Sequence, residues 1–227
     1  MFIPIYDLNP LRSIRFQFVT VGLIAANVAV FLLQMTGMPL DVVVSFALVP
    51  SELMNLSGEM STSSVWVPER LTPLSYMFFH GDIFHLASNM LFLWVFGDNV
   101  EDALGHVKFL FFYLACGVVG GLAHAVMMPN SNLPLIGASG AVAGVIAAYL
   151  MLHPRVRVWV LVFRFIPVRI TAAFALGAWI LTQFVMVLLP EAGPVAWWAH
   201  IGGLLAGAVL VVMLKKPGVP LFDRGLA

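Results

Sequence analysis

The chain has 227 residues, 61% hydrophobic and 10% charged, with a mean hydropathy of +0.99, against roughly 25% charged residues in an ordinary soluble domain. Eleven Lys and Arg balance eleven Asp and Glu, so no nucleic-acid partner is expected. The composition is that of an integral membrane protein with the lipid bilayer as its solvent, which excludes a water-soluble globule.

Runs of about 18 or more apolar residues can cross a hydrocarbon layer roughly 30 Å thick. Six occur, at about 17–36, 83–100, 106–128, 137–153, 170–189 and 197–214. The first follows Arg12 and Arg15, is too long for a signal-peptide core and is expected to stay as an anchor. A long connection, about 37–79, carries Asp41, Glu52, Glu59 and Glu69 beside an apolar stretch, Val42 to Leu48, that is expected to lie partly in the membrane interface. The second run is entered through His80-Gly81-Asp82-Ile83-Phe84-His85-Leu86-Ala87-Ser88-Asn89. The third contains the single cysteine, Cys116, next to Gly117, read as a packing residue. The fourth opens with Gly137-Ala138-Ser139-Gly140 and the sixth with Ala199-His200-Ile201-Gly202-Gly203. The other connections are short, so the expectation is an all-α, polytopic membrane protein forming one domain over 1–227, with a short tail at about 215–227.

Charge placement sets the orientation. Arg12, Arg15, Lys108, Arg155, Arg157, Arg164, Arg169, Lys215, Lys216 and Arg224 all fall on one side of a six-span bundle, and Arg70 on the other. The positive-inside tendency therefore predicts both termini in the cytoplasm and the first, third and fifth loops outside.

Polar groups inside lipid are costly and need a reason; four stand out, His85, Asn89, Ser139 and His200. At about 1.5 Å per helical residue, Ser139 lies roughly 24 Å above Arg155, His200 roughly 22 Å above Lys215 and His85 roughly 24 Å above Glu101. The three share one level, several ångströms beneath the outer surface, where hydrolysis would need a cavity open to water. His85 and Asn89, four apart, share a helix face. Gly140, Gly144 and Ala148 form one small-residue row and Gly203 with Gly207 another, the pattern that lets two backbones approach closely in lipid. A hydroxyl and an imidazole on such helices can come within hydrogen-bonding reach.

The three motifs, in this order and on these spans, resemble the rhomboid family of intramembrane serine proteases, with the likeness running over about residues 15–215. The resemblance implies a six-transmembrane-helix rhomboid bundle in which Ser139 is the nucleophile and His200 the general base and then acid, a dyad without a third member. It further implies that His85, Asn89 and the backbone N–H of Ser139 stabilise the oxyanion, with Gly137, Gly140, Gly144, Gly203 and Gly207 packing the helices near the site. A donor preset where charge develops is worth roughly 10²–10³ in rate, and the first turn of a helix favours a developing anion. Asp82 is read as an interfacial residue rather than an orienting third member.

Many members of the family carry an aromatic four residues after the serine, packed on the histidine; here that position is Ala143, so another side chain, Trp197 or Trp198, is expected to hold His200. Trp66 and Arg70 lie near a family pair of the first loop and are given no role. His106, His124 and His153 read as boundary residues. Zinc on His80, His85 and His200 has no His-Glu-x-x-His motif or nearby carboxylate behind it, so neither metal nor cofactor is expected. The expected partners are transmembrane protein substrates, cut where Gly or Pro weakens a helix and after a small residue. The fifth helix, ending at Pro190, and the loop Glu191 to Val195 are the expected gate and cap. The expected location is the cell (inner) membrane, with the site opening to the extracytoplasmic side. The alternative is a catalytically inactive relative that binds membrane helices; a transporter lacks the inverted repeat and midplane ion ligands it needs.

Overall fold

In lipid, every backbone N–H and C=O must find a partner within its own segment or sheet, so long apolar runs become helices. The computed structural model describes residues 3–54, 66–162, 165–189 and 195–223. Arg164, Glu59, Arg224, the end of the expected gate at Pro190 and the expected cap Glu191 to Val195, save Val195 itself, lie outside the described residues. A strand β1 (Ile3–Asp7) precedes helix α1 (Phe18–Met35). The long connection holds α2 (Leu40–Phe46), α3 (Pro50–Met54) and α4 (Thr72–Ser75), with 3-10 turns at Glu69–Leu71 and Tyr76–Phe78. Then come α5 (Ile83–Leu104), α6 (His106–Met127), α7 (Ser139–Leu152), strands β2 (Arg157–Val162) and β3 (Ile166–Thr171), α8 (Ala172–Val187) and α9 (Trp197–Leu214).

Among the described residues, α1, α6 and α9 are long and apolar enough to cross a membrane, while α7 and α8 are shorter apolar helices. Large apolar side chains face outward, Phe174 69%, Leu205 60% and Met213 71% exposed, an exterior suited to lipid rather than water.

The expectation of an all-α chain needs correction. β1, β2 and β3 form an antiparallel sheet in that order, with Tyr6 opposite Trp159 and Trp159 opposite Arg169. Residues 157–162, Arg-Val-Trp-Val-Leu-Val, are β-branched or aromatic and alternate: Arg157 and Trp159 are exposed, Val158 and Val160 buried. That period of two is a half-buried strand. In the first loop, the stretch Val42 to Leu48 is half-buried over residues 42–46 and ends in the core. Leu48 is fully buried and bridges to Leu135 just before α7.

The charged end of the bundle is knitted by two carboxylates at the end of α5. Asp102 accepts hydrogen bonds from the backbone N–H groups of Arg12, Ser13 and Ile14. Glu101, fully buried, accepts from the N–H groups of Val19 and Thr20 and from the Thr20 hydroxyl. Gln17, at the start of α1, offers no side-chain cap, so Glu101 caps α1 from another helix and satisfies donors that would otherwise be orphaned. Lys108 and Lys216 reach the carbonyls of Leu214 and Asp102, and Arg12 pairs with Asp223, gathering those charges at one end.

At the centre is α7, in which Ala141, Ala143, Val145, Ile146, Ala148 and Tyr149 are fully buried. Its 14 residues against 22 in α5 and α6 make it about 21 Å long against about 33 Å. A short core helix among longer ones begins inside the bundle, and its first residue is Ser139.

Candidate active site

The turn into α7 is built for close approach. Gly137 adopts φ +120°, and a Cβ there would lie 2.6 Å from Cε1 and 2.7 Å from Nε2 of His85. The imidazole of His85 thus covers the backbone two residues before Ser139. The Gly137 N–H donates to the carbonyl of Tyr76 at 3.0 Å, and the Ala138 N–H makes a long 3.5 Å contact with Nε2 of His80. Ala138 gives the first turn of α7 no side-chain cap. Ser139 itself is half-buried.

Helices α7 and α9 touch backbone to backbone. A Cβ on Gly203 would overlap the Gly140 carbonyl, and one on Gly207 would overlap the Gly144 carbonyl. On α6, a Cβ on Gly120 would meet the Ala199 carbonyl at 2.7 Å. Residues 140 and 199 are in contact too, the Ala199 oxygen lying 3.3 Å from where a Gly140 Cβ would be. Ser139 and His200 therefore flank one inter-helix contact. Among the described residues no hydrogen bond joins their side chains. A resting site often has long or misaligned catalytic contacts that tighten only with substrate.

His200 is 8% exposed, and its Nδ1 sits 2.7 Å from Oε1 of Gln183 on α8. Two indoles flank the imidazole: Trp197 edge-on, centroids 5.8 Å apart at 88°, and Trp179 tilted at 32°, 5.9 Å away. Trp179 also packs against the small cluster of Ala143, Ala147 and Leu204. The ring that Ala143 does not supply from α7 comes instead from α8.

The remaining polar residues sit on the approach to α5. Asp82 caps α5, accepting from the N–H groups of Phe84 and His85. Asn89 is buried and its Nδ2 donates to the His85 carbonyl at 3.1 Å; one amide proton is thus used within its own helix and the second is left over. His80 is fully enclosed, its ring edge-on to His85 at 5.1 Å and its backbone bracketed by the Gln34 amide of α1. Beside it lies a cavity of about 340 Å³ lined by Phe31, Gln34, Leu40, Val43, His80 and Ile136.

The family model described as Rhomboid domain matches residues 68–217, well over half the chain. The chain belongs to the rhomboid family. Among the relatives of this rhomboid are the presenilin-associated rhomboid-like protein, mitochondrial, of Homo sapiens, 30% identical over 195 residues, covering 82% of this chain and 45% of that protein. Its Mus musculus counterpart is 33% identical over 139 residues, 57% of this chain and 34% of that protein. Rhomboid protease GluP of Bacillus subtilis is 34% identical over 158 residues, 69% of this chain and 28% of that protein. The rhomboid thus spans less than half the length of each of these relatives.

Reading the sequence of this rhomboid missed Gln183 and Trp179. Both signals were present: Gln183 is an amide inside an apolar run, and Trp179 stands one turn before it on the same face. Of the pair expected to hold His200, Trp197 is the one in ring contact with it.

Proposed function

We propose that this rhomboid is an intramembrane serine endopeptidase that cleaves transmembrane segments of membrane proteins with Ser139 as nucleophile and His200 as base. The observation that supports the reading is the contact between α7 and α9, in which Gly140, next to Ser139, meets Ala199, next to the buried His200. Ser139 Oγ attacks the scissile carbonyl while Nε2 of His200 takes its proton. The tetrahedral oxyanion accepts from the Ser139 N–H, from His85 and from the free amide proton of Asn89. His200 then protonates the departing amine, leaving an ester on Ser139. Water, activated by the same imidazole, hydrolyses that ester and returns the proton to Ser139.

The bundle is read as six spans, α1, α5, α6, α7, α8 and α9, in a single domain with the Arg- and Lys-rich end and both termini on the inner side. The site then opens outward, as expected for the cell (inner) membrane; the mitochondrial names of some relatives make an organelle membrane equally compatible, with the same topology. The substrate is a helix weakened by Gly or Pro, because a regular helix shields its own peptide bonds.

Ser139→Ala should abolish cleavage of a transmembrane substrate reconstituted with the purified protein, and a fluorophosphonate should label the unaltered chain but neither Ser139→Ala nor His200→Ala. The second reading is a non-catalytic member that binds membrane helices; absence of labelling together with retained helix binding would establish it.

A further inference from the structure

We infer that Gln183 is a positioning residue for His200, fixing the imidazole as the tautomer whose Nε2 is free to act as base. This deepens the protease reading of the same site and rests on it. The partners of the Gln183 amide settle which of its two atoms faces His200. One end of the amide lies 2.7 Å from the Trp179 carbonyl and 3.0 Å from the Thr182 hydroxyl. A carbonyl oxygen only accepts, so that end must be Nε2. The Thr182 hydroxyl spends its own proton on the same carbonyl at 2.6 Å, which leaves it an acceptor for the amide. With Nε2 committed twice, Oε1 is the atom at 2.7 Å from Nδ1 of His200. An amide oxygen also only accepts, so Nδ1 carries the proton and the lone pair of the neutral ring is on Nε2.

A glutamine in an apolar helix often does no more than bond back to the carbonyl four residues earlier. Gln183 makes that bond with its nitrogen alone, and its oxygen is aimed at His200 on a different helix. Gln183 is 2% exposed and His200 8% exposed, so water does not compete for the contact. Trp179, four residues before Gln183, tilts over the imidazole at 5.9 Å while Trp197 meets it edge-on. One turn of α8 thus supplies both a hydrogen-bond acceptor and an aromatic ring to the base, and the ring lies close enough to attract the imidazolium formed during turnover. The amide is the form of orienting group suited to this depth, since a carboxylate would add an ionised group to a lipid-embedded core. Cysteine hydrolases with a Cys-His-Asn set use a neutral amide in the same capacity.

The test compares Gln183→Met, which keeps the shape and removes the acceptor, with Gln183→Glu, whose protonated acid keeps an acceptor oxygen for Nδ1 of His200 and an O–H donor for the Trp179 carbonyl. Gln183→Met should lower kcat on a reconstituted transmembrane substrate by roughly 10- to 100-fold, less than removal of the base itself, with KM essentially unchanged. Gln183→Glu should retain most of kcat. A second readout is independent of turnover: ¹⁵N-histidine NMR on Ser139→Ala protein should report a protonated Nδ1 at His200, lost on adding Gln183→Met. If the unaltered chain shows no Ser139-dependent cleavage while the NMR signature holds, the protease reading fails and the tautomer assignment stands. If cleavage depends on Ser139 but Gln183→Met leaves kcat and the His200 signature unchanged, or if Met and Glu at this position lower kcat equally, the positioning role is overturned and the protease reading survives.

Discussion

Gly137 joins backbone conformation to chemistry. Its φ of +120° is a region L side chains rarely adopt, and the His85 ring occupies the place a Cβ would take. A left-handed or otherwise sparsely populated backbone costs about 1–3 kcal/mol for a non-glycine residue, and here the methyl would also push away a proposed oxyanion donor. Gly137→Ala should therefore slow fluorophosphonate labelling of Ser139 far more than it lowers the unfolding temperature in detergent; unchanged labelling would separate His85 from the reaction. Gly137, Ser139, His85 and His200 stand out in the sequence because each falls in a short motif at the head of an apolar run. Gln183 and Trp179 do not, because their meaning depends on which helix α8 faces. An amide in an apolar run reads as a helix back-bond until an imidazole is found at its other end.

Helices α7 and α9 illustrate how far periodicity reaches. The rows Gly140–Gly144 and Gly203–Gly207 predicted a close crossing, and the structure interlocks them, Gly203 and Gly207 of α9 each against a carbonyl of α7. Cys116, predicted to be packing material, is fully buried, and a Cβ on Gly144 would lie 2.5 Å from its sulfur. Helix α1 makes the opposite point. Its first turn has no local cap, and its donors are satisfied by Glu101, 81 or more residues away. Removing that carboxylate leaves two N–H groups and a hydroxyl without their acceptor, a loss of about 2–3 kcal/mol. Glu101→Ala should lower the unfolding midpoint and expose the α1 start to protease, measurable by limited proteolysis in detergent; unaltered protection would show that α1 is held by apolar packing alone.

Across the whole molecule, the charged end carries the sheet, and β1 is tied to the core through Asp7, which accepts from the Tyr149 hydroxyl at 2.6 Å. Burial pushes the Asp7 carboxyl up to about 6 from 3.8, against the opposing effect of the Tyr149 hydrogen bond. A carboxyl raised in the folded state favours folding when protonated, so its contribution is fully present below about pH 4 and is lost as pH rises through about 6. Asp7→Asn keeps an acceptor for Tyr149 and removes the ionisation. It should raise thermal stability at pH 7.5, with the advantage shrinking across pH 6 to 4 and absent below that; a pH-independent difference would assign the effect to packing. β1 was invisible to a reading of spans because its partner strand β2 lies some 150 residues downstream, and Pro4 within it argues against a strand on local grounds.

The sequence by itself determined what lipid demands locally: which apolar segments are helical, which end carries the positive charge and where glycine permits two helices to meet. These follow from residue type and a 1.5 Å rise, and neither needs a partner to be known. Only the tertiary structure decided which groups face each other across helices: Glu101 on the first turn of α1, β1 on β2, and Gln183 with Trp179 on His200. Such pairings are set by helix rotation and by the order in which elements pack, and no periodicity within one segment encodes the identity of the side chain opposite.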